Sequence, residues 1–312
     1  MPESLVDPAM KTQTVLIANA AVRRLFSRSI AKKVRWVLAL GVMTWLPFAN
    51  AWSEMGHRLT CDVAEVHLVS SVKKKIQSLM ETLPDEQRNQ LFEGEALEFS
   101  DLCVWADKVR PLPAYRSVSS WHYINFDRDQ LTVDYDRCVA GCILTAIQTH
   151  LYLLAQPEVE GWTKLQALMF LSHWIGDLHQ PLHVSFADDL GGNRVKVKGY
   201  ENCSNLHGVW DDCLIEETQL SRVELKAQLL NAVGSFSQSS GSILKWATES
   251  AELAIHPRTQ YCRQTEAGCL PWATRVYVLD SDYQAKNWPV AKERIAQGGY
   301  RLAGLLNAAL GP

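Results

Sequence analysis

Residues 171–184 read LSHWIGDLHQPLHV, and no other stretch restricts the fold as strongly. They place His173, Asp177, His179 and His183 within eleven residues. An α-helix turns about 100° per residue, so His173 and Asp177, four apart, share one helical face as a pair of potential metal ligands. Leu165, Leu168, Met169 and Ser172 continue the same stripe upstream, with no Gly or Pro before Gly176 and Pro181. Pro181 cannot continue regular helix, which frees His183 to point in a direction the helix would forbid. A metal site on this segment would need further ligands brought to the helix from elsewhere in the chain.

The first fifty residues have a different character. Lys32, Lys33 and Arg35 precede a thirteen-residue apolar run over 36–48, and Ala49-Asn50-Ala51 has the small-x-small form of a signal-peptidase site. The run is shorter than the roughly 20 residues a spanning helix needs, so a cleaved export signal is expected rather than an uncleaved anchor. Residues 1–51 thus read as an N-terminal extension and signal, with the cut between Ala51 and Trp52. Residues 1–31 have no assigned role, and Met10 is an alternative start. The product is expected to be secreted or periplasmic, without a stable membrane anchor. Residues 52–312 form one domain, because no repeat, low-complexity tract or Gly/Pro/Ser linker divides them.

The first 51 residues hold seven of the 31 Lys/Arg and two of the 34 Asp/Glu, which leaves 24 basic and 32 acidic residues and a formal charge of −8. Such a protein has no general basic surface for nucleic acid, so a phosphate substrate would need bound cations. Its eight cysteines behind an export signal read as disulfides. Close spacing pairs Cys138 with Cys142, Cys203 with Cys213 and Cys262 with Cys269, leaving Cys61 for Cys103, although eight cysteines allow 105 connectivities. Thiolate zinc ligation is the competing reading, and no CxxC pair supports it.

Helical periodicity dominates over 57–79 (with a break near Ser70), 143–154, 163–178, 222–235, 242–254, 280–286 and 289–310. Gly298-Gly299 lies inside the last of these at some cost to helix propensity. Strand signals are confined to 194–198, read as one arm of a small β-hairpin after Gly191-Gly192-Asn193, and to an extended segment within 121–126. The expected class is mainly α, a single multi-helix domain. Such a domain builds metal sites from side chains on facing helices.

Three further clusters join the opening stretch: Trp52 with His57, Trp105-Ala106-Asp107 followed by Arg110 and Trp121-His122-Tyr123, and Asn205-Leu206-His207 through Asp211. His207 and Asp211 repeat the i, i+4 spacing. A single His-x-x-x-Asp is common by chance and is usually a core or surface pair; the combination is not. Over essentially all of 52–312 the chain resembles the S1/P1 nuclease family of zinc-dependent secreted nucleases and 3′-nucleotidases. The resemblance is carried by those motifs, Gly191-Gly192-Asn193 and the 298–303 segment GGYRLA.

The resemblance implies a phospholipase C/P1 nuclease-type fold, acting as a monomer with three Zn2+ ions. Asp107, His122, His173 and Asp177 would hold the first ion. Trp52, through its α-amine and carbonyl, would hold the second with His57 and Asp177, and His183, His207 and Asp211 the third. An endonuclease and 3′-nucleotidase is implied, hydrolysing single-stranded DNA and RNA and 3′-nucleotides through metal-activated hydroxide to leave 5′-phosphates. Asp107 would orient or deprotonate the water and Arg110 would neutralise phosphoryl charge. Tyr123 would stack a base, and Asn125, Gly192 and Asn193 match base-contact positions. Without the family match, a surface ion pair would be the better reading of Arg110. His67, His150 and His256 have no ligand neighbours in the pattern. His179 lies about 200° around the helix from Asp177 and is assigned to structure or to a hydrogen bond behind the ligands. The alternatives are a related trinuclear zinc phospholipase C and a secreted zinc-binding protein without catalysis.

Overall fold

A computed structural model describes residues 52–129, 132–233, 241–266, 268–271 and 276–311. The expected extension and export signal over 1–51, and the last residues of the helix expected over 222–235, lie outside them. The described chain is mainly α. Its principal helices are α1 (Glu54–His67), α2 (Ser70–Met80), α3 (Asp85–Phe92), α4 (Trp105–Val109), α5 (Ile143–Ala155), α6 (Gly161–Leu178), α7 (Arg222–Val233), α8 (Ile243–Ile255) and α9 (Tyr283–Leu310). Between α6 and α7 a continuous helical run joins Leu206–Gly208, a π-helical turn Val209–Cys213 and Leu214–Glu216.

Helix α6 is the central element. From Leu165 onward nearly every side chain is buried, including His173, Ser172 and Asp177, so this helix is apolar on most of its circumference rather than on one stripe. It packs on α5 and against α1 and α4. Trp105 of α4 meets Tyr115, Trp162 and Phe170 edge-on at ring distances of 5.3, 5.7 and 5.0 Å. Aromatic pairs of this geometry add about 0.5–1.5 kcal/mol each beyond their buried area, and they anchor α4 beside α6.

Helix α9 lies along α1. A Cβ on Gly299 would sit 2.5 Å from the Thr60 carbonyl and 2.6 Å from Val63 Cβ, so the glycine is what allows the two backbones to approach. The expected pair of helices over 280–286 and 289–310 is one helix with Pro289 inside it. Asn287 stabilises this turn, its Nδ2 donating to the carbonyls of Tyr283 and Arg258 at 3.0 Å each.

Strand structure is slight. β1 (Ile124–Phe126) pairs in parallel with β2 (Val184–Phe186). The segment expected to be a hairpin arm makes a local antiparallel bridge from Lys196 to Asn205, and its end, β3 (Val197–Lys198), also pairs in parallel with β6 (Tyr277–Val278), a partner remote in sequence. A further antiparallel pair is β4 (Arg263–Thr265) with β5 (Gly268–Leu270), beside the Cys262–Cys269 disulfide. The remaining disulfides are Cys61–Cys103, Cys138–Cys142 and Cys203–Cys213, as spacing suggested. Among the described residues no helix is long and apolar enough to cross a membrane.

Candidate metal centre

His57 projects from α1, Asp107 from α4, His173 and Asp177 from α6, and His122 ends the 3-10 helix Pro113–His122. Helix α6 stops at Leu178, earlier than Pro181 alone requires, and Pro181 opens the 3-10 turn Pro181–His183 that aims His183 back at Asp177. His207 lies on Leu206–Gly208 and Asp211 on the π-helical turn, a geometry that often accompanies functional sites.

Asp177, fully buried, is the common centre. Its Oδ1 lies 3.3 Å from His57 Nε2 and 3.6 Å from His183 Nδ1; its Oδ2 lies 3.0 Å from His122 Nδ1 and 3.2 Å from His173 Nε2. Asp107 Oδ1 is 3.6 Å from His122 Nδ1 and 3.7 Å from His173 Nε2. His207 Nε2 is 3.2 Å from Asp211 Oδ2. Three groups, His57/His173/Asp177, Asp107/His122/His173 and His183/His207/Asp211, each have ligand atoms close enough for one metal ion.

Second contacts fix the rings. His173 Nδ1 donates to the Cys103 carbonyl at 2.6 Å, His183 Nδ1 to the His122 carbonyl at 2.7 Å and His207 Nδ1 to the Gly191 carbonyl at 2.6 Å. Each bond leaves Nε2 as the atom that faces the centre, the arrangement that orients a metal-binding imidazole. The His57 ring stacks on His173 at 3.9 Å.

The donors fit divalent cations. Both nitrogens of His57, Nε2 of His122, His183 and His207, and Oδ1 of Asp107 and Asp177 are buried without hydrogen-bond partners. Burying one such atom unsatisfied costs about 1–3 kcal/mol, so several of them within the three His/Asp groups signal a ligand. Imidazole and carboxylate are donors zinc accepts. Burial raises the Asp211 carboxyl well above the ordinary range, with Asp212, Asp177 and Asp107 adding to it, while Gln180 opposes. Burial lowers His122 to about 4 and His207 to about 3. His173 is desolvated in the same way, yet Asp177 and Asp107 outweigh burial and lift it to about 9. A metal ion would take the place of that proton, since ligands bind deprotonated.

Residues 52–311 match the S1/P1 Nuclease family. The chain belongs to that family. It is 32% identical to Endonuclease 2 of Arabidopsis thaliana, over 88% of this chain and 97% of that protein. It is 30% identical to Nuclease S1 of Aspergillus oryzae, over 86% and 94%, and 25% identical to Nuclease P1 of Penicillium citrinum, over 82% and 97%. As an S1/P1 nuclease it is a hydrolase of phosphoester bonds, built on the mainly α fold described above.

The other expected site residues of this nuclease lie on adjoining segments. Trp52 is fully buried before α1, and the next backbone N–H, of Ser53, donates to the Asp211 carbonyl at 2.9 Å. Arg110 Nη1 is 3.9 Å from Asp107 Oδ1. Tyr123 is 38% exposed beside His122, and Asn125 stands on β1 opposite Ser185 with its Oδ1 buried and unpartnered. Gly192 donates its N–H to Asp189 Oδ1, and Asn193 Nδ2 donates to the Leu190 carbonyl. His179 lies elsewhere: its Nδ1 donates to the Ile175 carbonyl, and Arg301 approaches its Nε2 at 2.9 Å.

Some contributors left little trace in the sequence pattern. A Cβ on Gly176 would fall 2.8 Å from His57 Nδ1, so this glycine makes the slot for the ring; its place inside an apolar helix is the available signal. Gly191, by contrast, stood in the Gly191-Gly192-Asn193 motif; it has φ +65°, and a Cβ there would meet the Leu182 carbonyl at 2.6 Å. Asp189 accepts from Gly192 and Tyr261 and pairs with Arg128, which holds the 189–193 turn in place.

Proposed function

We propose that the protein is an exported, monomeric zinc enzyme that cleaves single-stranded DNA and RNA to 5′-phosphate products and removes the 3′-phosphate from 3′-nucleotides. The observation that carries this reading is the set of three His/Asp groups with ligand atoms close enough for a metal ion, in which several buried imidazole and carboxylate atoms have no hydrogen-bond partner. Asp107, His122, His173 and Asp177 hold one zinc, and Trp52, His57 and Asp177 a second. His183, His207 and Asp211 hold a third. When bound, zinc supplies Lewis acidity that lowers the pKa of water and polarises phosphoryl oxygens.

The chain's own groups do the rest. Asp107, with one oxygen unpartnered, accepts the proton of the attacking water and aligns it with phosphorus. The Arg110 guanidinium offsets the negative charge that builds on the phosphoryl oxygens. Tyr123 presents an exposed ring on which any base can stack, while Asn125, Gly192 and Asn193 contact the base edge. A duplex base must first leave its stack to reach these groups, hence the preference for single strands. Export cleavage before Trp52 frees an α-amine that can lose its proton near pH 8 and bind a metal, which an amide nitrogen cannot do comparably.

The test is a substrate panel with the protein beginning at Trp52: single-stranded DNA and RNA, duplex DNA, 3′-AMP and phosphatidylcholine. Hydrolysis of single strands and 3′-AMP is expected, with products carrying 5′-phosphate from the polymers. Turnover of phosphatidylcholine alone would assign the site to lipid phosphodiesters, and no turnover of any substrate would leave a zinc-binding protein.

A further inference from the structure

We infer that Gln180 is a positioning residue for the His183/His207/Asp211 cluster, fixing Asp211 so that a single carboxylate oxygen faces the metal. This rests on the proposed function, because it assumes that cluster holds an ion. Gln180 is fully buried two residues past the end of α6. Its backbone N–H donates to the Asp177 carbonyl at 3.0 Å, tying it to the helix that carries the shared ligand.

The orientation of its amide is decided by its neighbours. The Leu182 backbone N–H, at 2.5 Å, is a donor, so Gln180 must turn Oε1 toward it. Nε2 is then the atom left to face Asp211 Oδ1, to which it donates at 2.6 Å. Asp211 is buried, and among the described residues no Lys or Arg pairs with it. With Oδ1 engaged by the amide, Oδ2 is the oxygen turned toward His207 Nε2, itself buried and unpartnered. The same side chain caps the turn that carries His183, so one residue sets two of the three ligands in this cluster. Outer hydrogen-bond partners of metal ligands typically alter affinity about 10- to 100-fold when removed.

The experiment compares wild type with Gln180→Met, which keeps length and removes the donor, and with Gln180→Ala as a second variant. Zinc per chain is measured after equilibration with graded chelator, and melting temperature is followed with and without zinc. In at least one soluble variant, one ion should be released at about 10- to 100-fold higher free zinc than in wild type, with the other two unchanged. The stabilisation that zinc gives should shrink in parallel. Three ions held at wild-type affinity, or melting lowered equally with and without zinc, would reduce Gln180 to a structural cap and overturn the inference. Wild type that binds no zinc would overturn the proposed function itself.

Discussion

At the scale of single residues, Asp177 and Asp107 divide the work. Both carry an unpartnered buried oxygen, but Asp177 is fully buried among four imidazoles, whereas the Asp107 side chain is partly open beside Arg110. Asp107→Asn should keep most of the bound zinc while turnover of single-stranded RNA falls about 10²- to 10⁴-fold, measured as initial rate against metal content. Gly176→Ala drives a methyl into the His57 ring at 2.8 Å. Stability should fall by about 1–3 kcal/mol in chemical unfolding, and zinc affinity should drop with it. His150 tests burial without metal. It is buried near Trp121, Phe170 and Trp174, which holds it down to about 4 from 6.5, although a bond to the Ala146 carbonyl opposes this. The unfolded chain binds the proton more readily, so stability present above pH 6.5 is lost as pH falls toward 4. His150→Phe should flatten that acid limb by about 3 kcal/mol between those values in urea unfolding.

Among the elements, Cys61–Cys103 joins α1 to the turn before α4 across a separation of 42 residues. Removing it as a Cys61→Ala/Cys103→Ala pair should cost about 4 kcal/mol by loop-closure entropy, read from the urea midpoint. The pairing was legible from spacing alone, because in each of the other three pairs the partners lie within ten residues of each other. The helical pairs His173/Asp177 and His207/Asp211 were likewise legible, since helix period fixes which side chains share a face. The π-helical turn carrying Asp211 was not, because its spacing is indistinguishable in sequence from α-helix. The arm over 194–198 was legible in its local antiparallel bridge from Lys196 to Asn205, but its parallel pairing with 277–278 was not, because pairing across that distance leaves no local signal. Gln180 was hidden because its role lies wholly in a contact with Asp211, 31 positions away. Nor does Pro289 divide α9 as a proline inside a helical pattern suggests, since the helix runs unbroken from Tyr283 to Leu310.

For the molecule as a whole, the centre is a meeting point of segments spread from His57 to Asp211, so folding and metal binding should be coupled. The sequence carried the family and the ligand types; it did not carry the close contacts of Gly176 with His57 and of Gln180 with Asp211 that let the segments close on one another. The central claim is that three His/Asp clusters, with Trp52 at a free N-terminus, hold the zinc on which hydrolysis depends. It is tested most directly by titrating zinc into chelated protein beginning at Trp52 while following cleavage of single-stranded RNA. The account predicts no turnover without metal, full turnover on reconstitution and saturation at three ions per chain. Full turnover by metal-free protein, or saturation at fewer than three ions in fully active enzyme, would contradict it.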